Sequence, residues 1–229
     1  MPASESYLLL TRPVYQSPTL EHVILTAPIV IHVASGVILR NIRASRRARR
    51  YGAENRAQRS LIKFWPKMSL QARLGYLLVP FLGSHILVNR IVPLIADGGS
   101  SGVGLGYVAH GFSRNPVLWN IYYLGFVATG VWHIVGGWAT WLGWRVTTAR
   151  KGGQDKGTLG GYLGYRENEQ VVKKRKHMWW VVNSVAALGA CTWLAGGLGI
   201  IGSAGPGSPW EAKNWNAIYK QIPVFGEWF

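Results

Sequence analysis

Three histidines of this 229-residue chain stand where water is scarce. His32, His85 and His133 each fall inside a long apolar run. A neutral imidazole there can hydrogen-bond across helices, or it can ligate a metal such as a haem iron. Depth helps to separate these roles. His85 lies twelve residues after Arg73, and His133 twelve before Arg145. At about 1.5 Å per helical residue, both rings would stand about 18 Å from a basic boundary. His32 precedes Arg40 by eight residues, which makes it about 12 Å deep on the same scale. A haem b takes its axial nitrogens at one level on opposite faces of the ring. His85 and His133 therefore form the best metal-ligating pair, and His32 is a cofactor-binding residue that could replace either. Gly83, Gly130 and Gly136 would leave room for a macrocycle. The other reading, hydrogen bonding of the same histidines to Ser, Thr or backbone groups, uses no cofactor. The sequence leaves both open.

Other chemistry finds little support. Cys191 is the single cysteine, so neither an intrachain disulfide nor a C-x-x-C metal motif is available. The glycine-rich stretch Gly152–Gly164 lacks the spacing of a phosphate-binding loop. Ser, His and Asp do not fall into a hydrolytic arrangement. Ser35, one turn after His32, would suit a quinone on one helix face. With no dinucleotide fingerprint and no iron–sulfur cysteines, that redox role would need a soluble partner. A noncatalytic role is expected.

Four runs carry the histidines and the apolar residues: Leu20–Leu39, Leu74–Leu94, Val117–Leu142 and Met178–Ile201. Each is about 30 Å or longer as a helix, enough to cross hydrocarbon. The sequence thus predicts an all-α, polytopic membrane helical bundle with four transmembrane helices. A polar lead over 1–19 precedes the bundle of 20–201, and an interfacial tail over 202–229 follows it. The prolines in the first two runs are tolerable where neighbouring helices cover the freed backbone groups. His110, between the second and third runs, is expected to be exposed in a loop. The segment Ile42–Tyr51 could form a short surface helix.

The charge is segregated. Of a net +16, most lies in two segments. Arg40–Arg73 holds eleven cationic residues against Glu54 alone, and Arg145–Lys176 holds nine against three acids. The connection Ile95–Pro116 is neutral. With four spans, both basic segments share one side, as the positive-inside bias requires. Basic residues tethered between spans fit anionic membrane lipids as partners, and no nucleic acid is expected. Twelve Trp and 10 Tyr suit interfacial belts. No secretory signal or Arg-rich presequence precedes the first run.

The stretch Tyr7–Arg43, with YQSP at Tyr15–Pro18 and HVASGVILR at His32–Arg40, resembles the fungal mitochondrial adapter protein transmembrane-domain family. The likeness extends through the His85 and His133 spans. It implies a multi-pass protein of the mitochondrial outer membrane, an adaptor in lipid homeostasis or organelle contacts. Its partners would be a lipid-transfer protein or other mitochondrial membrane proteins. That family also resembles the membrane anchor of succinate dehydrogenase, a haem- and quinone-associated fold, which would carry a packing or haem role onto His32, His85 and His133. A longer family member would have a further spanning helix before Tyr7. The Pro-x-Pro recruitment signal expected of an adaptor lead is absent.

Overall fold

Prolines and small polar residues set where the helices begin. The Ser17 hydroxyl accepts from the Leu20 amide at 3.3 Å, ahead of Pro18. Ser69 accepts from Ala72 at 3.2 Å, and Asn115 accepts from Leu118 at 3.1 Å ahead of Pro116. Each cap satisfies an amide that the first turn leaves without a partner, and proline there gives up an N–H that had none.

The computed structural model of the chain describes residues 3–50, 52, 55, 57–58, 68–99, 102–144, 169–205, 207–224 and 226–228. Among the described residues there are helices and no strand. They are α1 (Ala3–Tyr15), α2 (Pro18–Arg50), α3 (Leu70–Asp97), α4 (Leu105–Arg114), α5 (Pro116–Trp141), α6 (Glu169–Ala204) and α7 (Pro209–Tyr219). A short 3-10 turn, Gly226–Trp228, follows. The chain divides into two units, Met1–Met68 and Ser69–Phe229.

Four spans are expected, and among the described residues three helices are long and apolar enough to cross a membrane: α2, α3 and the Lys173–Ala204 part of α6. The expected third run is indeed helical, as α5, and its 26 residues reach about 39 Å. Its apolar character is diluted by Trp119, Asn120, Tyr122, Tyr123, Trp132, His133, Trp138 and Trp141. It packs against both α3 and α6. A central helix meets protein on two sides, so it tolerates polar and aromatic residues that a lipid-facing helix would not.

In the first unit, the polar lead is the helix α1. The expected surface helix at Ile42–Tyr51 is instead the continuation of α2, which stays helical to Arg50. The apolar stretch of α2 is exposed along nearly all its length from Val23 to Ile42, with Ile29 half-buried. α2 contains a π-helical turn at His22–Thr26, two residues before Pro28. α3 repeats the device, with a π turn at Leu87–Ile91 two residues before Pro93. Proline has no N–H and its ring crowds the carbonyl four residues back. A widened turn upstream moves that carbonyl aside.

In the second unit α3 and α5 run antiparallel in a close register. Gln71 faces Gly136 and Gly137, Gly75 faces His133, Leu78 faces Gly130, and Phe81 faces Gly125. Further along, Ser84 meets Tyr122 with their hydroxyls 3.1 Å apart. Small residues on α5 admit the side chains of α3, as close helix packing in lipid requires. α6 pairs with the other side of α5 through Val131 with Ala186 and Ala190, and Ala139 with Val182. The Trp132 Nε1–H donates to Asn183 Oδ1 at 3.0 Å across the same seam.

The neutral connection and the tail are more ordered than the sequence suggests. α4 and α7 pack together at the end of the unit where α3 finishes and α5 begins. Val88, Val92, Tyr107, Trp119, Trp215, Ile218, Tyr219 and Ile222 form the core there. The Gly152–Gly164 stretch lies outside the described residues.

Candidate functional site

His133 sits over Gly75. Its Nδ1 lies 3.2 Å from Gln71 Nε2 and 3.3 Å from the Gln71 carbonyl oxygen. Gln71 Nε2 also donates to the His133 carbonyl at 2.5 Å. Unprotonated, Nδ1 accepts from the amide; protonated, it donates to the carbonyl. Either tautomer ties the start of α3 to α5. Gln71 Oε1 is buried beside Gly136 with no hydrogen-bond partner among the described residues.

His85 occupies a different level. Its ring packs on Phe126 at 5.1 Å and edge-on to Tyr123 at 6.2 Å. Asn89 Nδ2 donates to the His85 carbonyl at 2.9 Å and stands 3.3 Å from Nδ1. An amide N–H can serve that nitrogen only if it is unprotonated, which puts the ring proton on Nε2.

The two histidines are therefore not a matched pair. His133 is level with Gly75, and His85 lies ten positions further along α3, about 15 Å. The equal depths inferred from sequence assumed that Arg73 and Arg145 mark one boundary. The register places Arg73 near His133, because α5 overshoots the start of α3. The common level expected for His85 and His133 is therefore not what the register of α3 against α5 gives. His32 belongs to the first unit, where it is exposed and its carbonyl accepts from Ser35 Oγ at 2.9 Å. Among the described residues no group of three or more His, Cys, Asp or Glu gathers as a metal site.

Sequence reasoning missed the buried histidine. His110, expected in an exposed loop, is 4% exposed. Its Nε2–H donates to Asn216 Oδ1 of α7 at 2.8 Å, and its Nδ1 has no hydrogen-bond partner among the described residues. Trp215 lies 5.6 Å from the ring. Around it, Tyr219 stacks on Tyr107 at 4.6 Å. Tyr219 donates to the Tyr107 carbonyl at 3.1 Å, Tyr107 to the Val88 carbonyl at 3.0 Å, and Trp215 to the Gly102 carbonyl at 3.1 Å. Burial pushes both tyrosine hydroxyls well above their ordinary pKa. The cue was present in the recurring aromatics of the tail, but its partner segment reads as a glycine-rich loop.

His133 with Gln71, Trp132 with Asn183, and His110 with Asn216 thus tie helices together. The class of protein so defined is an α-helical membrane protein with a ring-stacked closure at one end. Residues 80–206 match the model of the transmembrane domain of MDM10-complementing protein 1, over more than half of the chain, and the chain belongs to that family. The match covers α4, α5, α6 and most of α3, and it leaves out the His32–Arg40 segment. No curated relative and no solved structure matches the chain, and the expected likeness to a succinate dehydrogenase anchor finds no support in these comparisons.

Proposed function

We propose that this protein is a noncatalytic adaptor of the mitochondrial outer membrane, serving lipid homeostasis or organelle contacts and engaging a lipid-transfer protein or another membrane protein there. The family match carries the reading, since it coincides with the helical bundle of the second unit. The bundle itself is consistent with an anchoring role. His133, Gln71, Asn183 and His110 are engaged in interhelical contacts. Such groups in hydrocarbon usually mark either function or packing, and the contacts here are of the packing kind.

Proximity labelling from the full-length chain in cells tests the proposal. Contact-site or lipid-transport proteins are the expected neighbours. A labelled set confined to respiratory dehydrogenase subunits would overturn the adaptor reading. Protease protection on isolated mitochondria tests the membrane assignment: segments exposed without rupture of the outer membrane are expected, and full protection argues against it.

A further inference from the structure

One end of the second unit carries two pairs of exposed tryptophans at a common height. Trp138 and Trp141 close α5, edge-on at 6.1 Å, and Trp179 and Trp180 open the apolar part of α6, edge-on at 5.0 Å. The Ala139–Val182 contact between the antiparallel helices brings the pairs level. All four rings are exposed, Trp141 to 81%. Indoles outside a protein core and level with one another are placed as an interfacial belt is placed, with an apolar body toward lipid and an N–H toward the headgroups.

α6 does not stop at that belt. It continues outward through Lys173, Lys174, Arg175, Lys176 and His177, all exposed. At about 1.5 Å per residue, Lys176 stands about 5 Å and Lys173 about 9 Å beyond Trp179. That is the thickness of the headgroup layer on one side of a bilayer. Successive helical residues turn by about 100°, so the four cations face every direction around the helix. The far end differs. Its described charges, Arg90, Asp97, Arg114, Glu211, Lys213, Lys220 and Glu227, mix signs, and its aromatic side chains are largely packed among themselves.

From this we propose that the α5–α6 end is a collar that concentrates anionic phospholipid headgroups around the protein. Tryptophans fix the depth, and the cations just outside them neutralise phosphate and carboxylate groups of the adjoining leaflet. The proposal depends on α6 crossing the bilayer and not on the adaptor reading. An adaptor with no lipid preference and a lipid-selective protein with no adaptor role are separable outcomes.

The tryptophans themselves report the test. The full chain is reconstituted in vesicles of brominated phosphatidylserine or brominated phosphatidylcholine, each diluted in the unbrominated form of the same mixed background. Bromine quenches indole only at contact. The anionic lipid is expected to quench with an apparent affinity roughly threefold or more above the zwitterionic one at low salt. That preference should shrink as salt shortens the screening length. K173Q/K174Q/K176Q should bring the two lipids close to parity, while K213Q/K220Q at the other end leaves the preference intact. Equal quenching of the wild-type chain, or a preference that survives both the triple substitution and high salt, overturns the collar. Should the triple variant fail to fold by circular dichroism, the wild-type salt series decides alone.

Discussion

His133 stands against the bare backbone of Gly75, so close that a Cβ at position 75 would lie 2.8 Å from His133 Cε1. This approach helps to set the spacing of α3 and α5, together with Phe81 against Gly125 and Gln71 against Gly136. Gly75→Ala should push the helices apart or drive the imidazole off its rotamer, costing about 1–3 kcal/mol. Gly83, on the same helix with nothing within 4 Å, is the control, and Gly83→Ala should be neutral or slightly stabilising. Thermal unfolding in detergent measures both. If the contact is the cause, Gly75→Ala in a His133→Ala background should lose most of its effect, a coupling that a double-mutant cycle reads directly.

The seam between α5 and α6 depends on Asn183. It accepts from the Trp132 indole at 3.0 Å and donates to the Trp179 carbonyl at 2.8 Å. Asn183→Ala leaves the indole N–H in an apolar seam without its acceptor. Interhelical hydrogen bonds in membranes are worth about 0.6 kcal/mol on average and up to about 1.7, so a loss in that range is expected in a denaturation assay. Trp132→Phe should make the Asn183 substitution milder. Additive losses would mean that the bond contributes nothing.

How much of this was legible in the sequence depends on what kind of signal each element carries. The apolar runs announce α2, α3, α5 and α6, because hydrocarbon length demands about 20 residues at a stretch. Their interhelical register has no such signature. Nothing in the spacing of Arg73 and Arg145 shows that α5 overshoots α3, and so His85 and His133 seemed level when they are about 15 Å apart along the axis. α4 and α7 were hidden for another reason. Each is a short helix with a mixed composition, and its apolar residues make sense only against the other: Trp215 over the Gly106 backbone, Tyr219 beneath Gly111. The burial of His110 follows from that pairing and could not precede it.

The alkaline side of the stability profile should belong to this pairing. Burial raises the pKa of Tyr107 and Tyr219 above the ordinary 10.0; Tyr107 and Tyr123 add to the rise for Tyr219, while for Tyr107 the hydrogen bond with Tyr219 offsets part of it. A raised folded-state value means that the neutral form is the one the fold accommodates. The stabilisation is complete below about pH 10 and declines as pH climbs from there toward the folded-state values. Trp215 fluorescence should report α7 detaching in that window. Tyr219→Phe gives up the bond to the Tyr107 carbonyl but cannot ionise, so it should be less stable at pH 7 and less steeply dependent on pH above 10. An unchanged alkaline slope would show that the hydroxyl does not govern the transition.

At acid pH the start of α7 should respond with the opposite sign. Glu211 Oε2 accepts from the Ser208 hydroxyl at 2.6 Å and from its amide at 2.8 Å. These bonds hold its carboxyl below the ordinary 4.5. A lowered value gives stabilisation that is present above 4.5 and lost as pH falls through the folded-state value. Glu211→Gln should remove that acid dependence and leave the alkaline one untouched, which Trp215 fluorescence across a full pH titration can separate.

α5 offers the sharpest test of topology. About 30 Å separates Leu118 from Trp138 along the axis, the thickness of a hydrocarbon core. Trp119 belongs to the packed closure at one end and Trp138 to the exposed pairs at the other. The helix thus has the length and the terminal indoles of a span, even though its aromatic and polar content lowers its apolar average. In a Cys191→Ala background, Ser113→Cys and Trp144→Cys place single exposed thiols just beyond its two ends. A membrane-impermeant maleimide should reach them from opposite sides of sealed vesicles. Labelling of both from one side would mean that α5 lies within one leaflet.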